Sequence, residues 1–342
     1  MAQLDLGELL YRAGAAASRR WPGASVAELE SLPGGISSLT FAAWLADSSG
    51  RRRRVVIKVA PPGLPAVRNR DVLRQARAIS AVHGAAGVRV PEVLLRDDGE
   101  PPLFVMQFIA GEAYEPCWDV SPVPPAPATV RARARAAAAM LGHLHALAPA
   151  AVGLGAEPAV GLGDELDRWA RLFATAGADL RGNEDSLHRA LAAAVPGTIG
   201  PRVLHGDYRL GNLLFDGDGP PAIIDWELWS LGDPRTDLAW LLHFTDPVVR
   251  RCGHRDGANR AAAEGMPDRR QLLAQYVAVT GTDPGDLSWF AAYCHYKLAS
   301  TMAVLAKRNR RRPEPDPGLE LAAATLAPAI ERGLDILSGS AS

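Results

Sequence analysis

Cysteine is scarce. Cys117, Cys252 and Cys294 lie far apart in the 342 residues, and no CxxC pair exists. That excludes a disulfide framework and a thiolate zinc site, and it fits buried thiols in a reducing, cytoplasmic setting. An excess of either charge is also missing: 37 Lys and Arg stand against 38 Asp and Glu, a net charge of −1. Nothing pushes the chain as a whole toward nucleic acid or an anionic membrane, so neither is expected as a partner. Long apolar runs are lacking too. Ala136 to Ala156 carries no formal charge, but His143, His145 and Pro149 interrupt it. It reads as a buried helix running into a loop rather than a membrane span. The opening MAQLDLGELLYRAG has early acids and no long apolar core, unlike a signal peptide. What remains is an ordinary globular composition, 48% hydrophobic and 22% charged, with a length that suits two domains or one large two-lobed one. Oligomeric state is not written in these patterns.

The first hundred residues read as strands with one helix among them. A turn signal at Pro33-Gly34-Gly35 leads into an apolar run ending at Leu45, and Ser48-Ser49-Gly50 breaks it. Val55-Val-Ile-Lys-Val59 is rich in β-branched residues and predicts a strand antiparallel to that run. Arg51 to Arg54 are then the solvated end of a hairpin. Val72, Leu73, Ala76, Ile79 and Val82 share one helix face within 68–83. Pro91–Leu95 and Leu103–Ile109 predict two more strands. Prolines at 116, 122, 124, 125 and 127 make a stiff loop, the best candidate for a boundary between lobes. Beyond it the chain is mainly helical, near 130–148, 164–176, 184–194, 268–279, 286–308 and 319–337. The basic run Lys307–Arg312 suits the C-terminal end of a helix.

One stretch of the second half breaks this helical pattern. It runs Val203-Leu-His205-Gly-Asp207-Tyr-Arg-Leu-Gly-Asn212-Leu-Leu-Phe215, then Asp216-Gly-Asp-Gly219, then Ala222-Ile-Ile-Asp225-Trp-Glu227. Two short apolar runs flank a Gly/Asp turn, which predicts a β-hairpin. Asn212 stands just before its first strand and Asp225 just after its second, so the open end of the hairpin brings two oxygen-bearing side chains together. Mg²⁺ takes oxygen ligands and uses few from protein, leaving the rest to phosphates and water. Asn212 and Asp225 fit that minimal set. Asp207, in the loop that feeds the hairpin, is then free to accept a proton from a nucleophile.

His205-Gly-Asp207-x-x-x-x-Asn212 followed by Ile224-Asp225-Trp-Glu227 resembles the catalytic and metal-binding motif of the aminoglycoside phosphotransferase and choline kinase family. Gly232-Asp233-Pro234-Arg-Thr-Asp237 also looks like that family's continuation into a helix. The resemblance covers roughly residues 25 to 310 and is sharp over 200–245. It implies an α+β, two-lobed, protein-kinase-like fold: a small antiparallel-sheet lobe over 1–108, a hinge and Pro-rich loop over 109–128, and a mainly helical lobe over 129–342. It implies ATP and Mg²⁺ as cofactors and a small-molecule hydroxyl as acceptor, with Asp207 as catalytic base and Asn212 and Asp225 as metal ligands. Gly34, Gly35, Ser37 and Ser38 would cover the phosphates and Lys58 would hold them. Gln107 and Ile109 would meet the base at the hinge. His205 would brace the loop, and Glu227 would face the acceptor. In one respect the chain departs from the pattern: Gln75 stands where a Glu would orient Lys58. The alternative that this leaves is a nucleotide-binding regulator without turnover.

Overall fold

The computed structural model describes residues 4–32, 38–217, 219–250 and 257–340. By its internal contacts the chain divides into two units. One comprises residues 1–112, 150–154 and 212–229, the other 113–149, 155–211 and 230–342.

The first unit is built on a five-stranded sheet. Helix α1 (Leu6–Arg20) begins at Asp5, whose carboxylate accepts the N–H groups of Gly7 and Glu8 and so caps the first turn. Strands β1 (Ser25–Ser31), β2 (Leu39–Ala46) and β3 (Arg52–Val59) follow, then α2 (Val72–Val82), β4 (Val93–Asp97) and β5 (Leu103–Gln107). The strand order is β1-β2-β3-β5-β4, and every pair is antiparallel. Leu9, Ala13, Ala16 and Ala17 of α1 pack on Phe41, Ala43, Val55, Ile57 and Val105, which forms the core of this unit. The expected solvated arginines at the β2–β3 end are exposed but also paired: Arg52 and Arg54 each reach a β1 glutamate, Glu28 and Glu30, at 2.6 Å.

The second unit is helical. It holds α3 (Pro127–Ala146), α4 (Leu162–Phe173), α5 (Ala178–Arg181), α6 (Glu184–Ala193) and the short strand β6 (Arg202–Leu204). The hairpin strands β7 (Leu213–Leu214) and β8 (Ala222–Ile223) come next in the chain but belong to the first unit. The second unit resumes with β9 (Ser230–Gly232), antiparallel to β6, and continues through α7 (Arg235–His243), α8 (Pro247–Arg250), α9 (Gly257–Glu264), α10 (Arg269–Thr280), α11 (Ser288–Asn309), α12 (Pro317–Ala323) and α13 (Leu326–Leu337). Helix α11 packs against α4, α7 and α13 and is buried along most of its length. It is apolar on nearly all sides for that reason. The single helix expected over 319–337 is two. Pro328 has no N–H to give, and its ring would clash with the carbonyl four residues back, so a continuous helix cannot pass. No helix among the described residues is long and apolar enough to cross a membrane. Cys117 and Cys294 are buried free thiols, and Cys252 lies outside the described residues.

Candidate active site

In the first unit the hairpin forms as its sequence predicts, with Leu213 opposite Ile223 and Leu214 opposite Ala222. The Ile224 N–H donates to the Asn212 carbonyl at 3.0 Å and extends the pairing by one step. Asn212 and Asp225 therefore occupy adjacent positions at the open end. Asn212 is buried, and Asp225 has a left-handed backbone with φ 61° and ψ 61°. Asp and Asn tolerate that conformation better than other residues with a side chain. The turn that follows is locked to α2. Trp229 donates its indole N–H to the Arg74 carbonyl at 3.1 Å, and Arg74 returns a bond to the Trp229 carbonyl at 2.8 Å.

Lys58 enters from β3. Its ammonium donates to Asp225 Oδ1 at 2.7 Å, and its side chain is only 7% exposed. The two line one small pocket with Gln75, Ile79, Phe104 and Met106. A lysine and an aspartate 167 positions apart in sequence thus meet at a single apolar-walled site. Gln75 is buried in the same wall, but its amide donates to the Asn69 carbonyl at 2.9 Å. Gln75→Glu would remove that donor and set a carboxylate against a carbonyl. We expect it to lower stability by about 1–3 kcal/mol. An unchanged urea midpoint would show instead that Lys58 had swung to the new carboxylate.

The remaining nucleotide-side candidates are placed unequally. Gly34, Gly35 and Ser37 lie outside the described residues. Ser38 is buried just before β2, and its hydroxyl has no hydrogen-bond partner among the described residues. The Gln107 N–H is committed to the Glu92 carbonyl at 2.8 Å, while Ile109 is half-buried beyond the end of β5. Glu227 is half-buried in the turn after Asp225.

In the second unit, His205, Gly206 and Asp207 form a loop held from several sides. Gly206 has φ 83°, a conformation open to glycine at little cost. The Asp237 carboxylate of α7 accepts the His205 N–H at 2.6 Å and the Gly206 N–H at 2.9 Å. Burial alone would raise the Asp237 carboxyl, but the His145 imidazole 3.7 Å away, together with His205 and Lys297, holds it below the usual carboxylate range. Lys297 of α11 donates to the Gly206 carbonyl at 2.6 Å, and its ammonium lies 4.0 Å from the centre of the Trp240 ring. His205 is fully buried, and its ring Nδ1 faces the Asp207 N–H at 3.3 Å. Both Asp207 oxygens have donors. Trp240 gives its indole N–H to Oδ1 at 2.8 Å, and Arg209 approaches Oδ2 at 3.4 Å.

Sequence reasoning missed Trp240, Arg209 and Lys297. Trp240 reads as core packing, Arg209 is an unremarked position within the motif, and Lys297 lies on a distant helix with no local signal. On α4, Glu165 accepts the Trp169 indole N–H at 2.9 Å and the Tyr293 hydroxyl at 3.2 Å.

The model of the APH family, described as a phosphotransferase enzyme family, matches residues 28–273. The chain belongs to this family. Among solved structures, the phosphotransferase chain is similar to a Ralstonia eutropha protein assigned as an aminoglycoside phosphotransferase. The two are 22% identical with a TM-score of 0.73, over 96% of this chain and 98% of that one. It is also similar to a macrolide 2'-phosphotransferase type I, 18% identical with a TM-score of 0.59, over 96% and 99% of the two chains. At these identities the likeness shows the fold, which is the expected α+β phosphotransferase class. Among curated proteins it matches mouse acyl-CoA dehydrogenase family member 10, 27% identical over 296 residues. That alignment takes in 82% of this chain, and the chain spans about a quarter of the relative, 26%.

Proposed function

We propose that the protein is an ATP-dependent phosphotransferase that moves the γ-phosphate to a hydroxyl of a small molecule. The observation that carries this reading is the Lys58–Asp225 contact at 2.7 Å in the pocket wall. It joins the strand lysine to the acidic end of the hairpin in a chain of phosphotransferase descent. ATP would take the pocket of Lys58, Phe104 and Met106, with its base edge at Ile109, since the Gln107 N–H is spoken for. The Ser38 hydroxyl would donate to a phosphate oxygen. The ammonium of Lys58 has three donors, so it can keep Asp225 and add α/β-phosphate oxygens.

No cluster of three or more His, Cys, Asp or Glu side chains is arranged for a metal among the described residues. Mg²⁺ asks for less. One carboxylate and one amide oxygen on adjacent positions suit a hard cation that draws its other ligands from phosphate and water. Asn212 and Asp225 would hold it, and it would neutralise phosphate charge. Asp207 would accept the acceptor hydroxyl's proton. Glu227 would face the acceptor, and His205 would brace the loop. The free thiols Cys117 and Cys294 suit a cytoplasmic setting.

Asp225→Asn tests this at the nucleotide. Asn tolerates the left-handed backbone and removes only the charge. We expect calorimetry to show that Mg²⁺ no longer strengthens ATP binding, with the fold intact. Equal MgATP affinity in both proteins would remove Asp225 from the metal site. ATP consumption measured across an aminoglycoside, a macrolide, a hydroxyacyl thioester and a sugar would identify the acceptor class. The first two follow the names of the solved neighbours, the third those of the curated relatives.

A further inference from the structure

The second unit contains a buried acidic side chain that the reading above leaves unused. Glu115 is fully buried, in the segment before α3. Its Oε2 accepts the Gly211 N–H at 3.2 Å and lies 3.8 Å from Arg209 Nη1. The same guanidinium presents its Nε to Asp207 Oδ2 at 3.4 Å. A buried carboxylate, a guanidinium and the Asp207 carboxylate thus stand in a row. Gly211 makes room for it: a Cβ there would come within 2.0 Å of Arg209 Nη1 and 3.2 Å of Glu115 Cβ. On the other side, the Trp240 indole N–H holds Asp207 Oδ1 at 2.8 Å, and Trp240 is itself fixed by Lys297 over its face and by His243 stacked at 5.3 Å.

We propose that Glu115 and Arg209 are positioning residues that fix the orientation of the Asp207 carboxylate, with Trp240 as the opposing point of the clamp. A carboxylate is planar. Gripped at one oxygen by an indole and at the other by a guanidinium, it cannot rotate about its last side-chain bond. The lone pairs that remain keep one direction toward an incoming hydroxyl. Arg209 alone would not supply this, because a long side chain on a loop has many rotamers. Glu115 removes that freedom by holding the far edge of the guanidinium. A buried carboxylate is costly to maintain without a partner. Burial raises the Glu115 carboxyl to about 7, opposed by Arg209 and by the N–H groups of Gly211 and Cys117, and reinforced by Asp119. The site retains an acid there in spite of that cost.

The inference rests on Asp207 acting as the base, and the test separates the two. Phosphate transfer is measured for the acceptor found in the panel, and phosphate release from MgATP with water as acceptor serves beside it. Arg209→Met and Glu115→Gln should each lower kcat, by up to about 10²-fold for a misplaced reacting group, with the KM for ATP nearly unchanged. Arg209→Lys should recover part of the loss for charge but not for the fork. The deciding protein is the double variant. Against an Asp207→Asn background, Arg209→Met should cost almost nothing more, because residues acting through one another are not additive. If Arg209→Met lowers the rate equally in both backgrounds, Arg209 acts on its own and the clamp is overturned. Full kcat in Arg209→Met and Glu115→Gln with only a lowered Tm makes the row structural and overturns it too. If Asp207→Asn keeps the wild-type rate, or if wild type transfers phosphate to neither acceptor, the proposed function falls first and the clamp with it. Should Arg209→Met fail to fold, Arg209→Lys and Glu115→Gln are read in the same cycle.

Discussion

Asp207→Asn is expected to lower the rate of phosphate transfer by about 10²–10⁴-fold, the usual cost of losing a general base, while ATP affinity stays nearly unchanged. The substitution keeps the shape of the side chain. Its amide can still accept the Trp240 N–H that now meets Oδ1 at 2.8 Å, but its other end becomes a donor facing Arg209. The charge that would draw the hydroxyl proton is gone. Nucleotide affinity should survive because the proposed nucleotide and metal groups, Lys58, Asn212 and Asp225, keep their own side chains in the variant. Single-turnover phosphate transfer beside calorimetric ATP binding checks both halves. A regulator without turnover has no transfer to lose, so a measurable wild-type rate that collapses in the variant decides between the two functions. A variant that keeps most of the wild-type rate removes Asp207 from the chemistry.

Asp237→Asn should be the most damaging change to stability near the site, about 3–5 kcal/mol, because it breaks a buried charge from its partners. The carboxylate is 2% exposed and accepts two backbone N–H groups of the His205–Gly206 turn. An amide offers one acceptor and one donor, so one of those N–H groups would face another N–H. The wild type should also show this group in its pH dependence. The Asp237 carboxyl is held below its ordinary value in the folded protein. Its contribution is therefore complete above the unfolded pKa, near 4, and is lost as pH falls through the lower folded value. Urea unfolding from pH 7 down to pH 3 should accordingly show the wild type losing stability on acidification and the variant, already weaker, losing less. A loss below about 1 kcal/mol, as at an exposed ion pair, would mean that the loop does not depend on this carboxylate.

The elements that the sequence reveals are those whose signal is local. The β7–β8 hairpin follows from two apolar runs around a Gly/Asp turn, and that alone sets Asn212 and Asp225 at neighbouring positions. Lys58 stands out because Val55–Val59 is β-branched and central in the sheet. Helix α2 was legible from one apolar face, and the HGD motif from the spacing of Asp207 and Asn212. Strand β1 was not legible. Ser25–Ser31 is polar and lies at the sheet edge, so its pairing with β2 rather than its composition makes it a strand. The assignment of the hairpin to the first unit was equally hidden, because Trp229 and Arg74 are joined across 155 positions by bonds that no local pattern encodes. The same holds for the surroundings of Asp207. The sequence by itself determined which carboxylate stands at the centre of the motif. The tertiary structure decided what surrounds it, because Glu115, the α7 residues Asp237 and Trp240, and Lys297 of α11 come from three separate stretches of chain. Nothing but their packing in one unit could bring those side chains within hydrogen-bond reach of one loop.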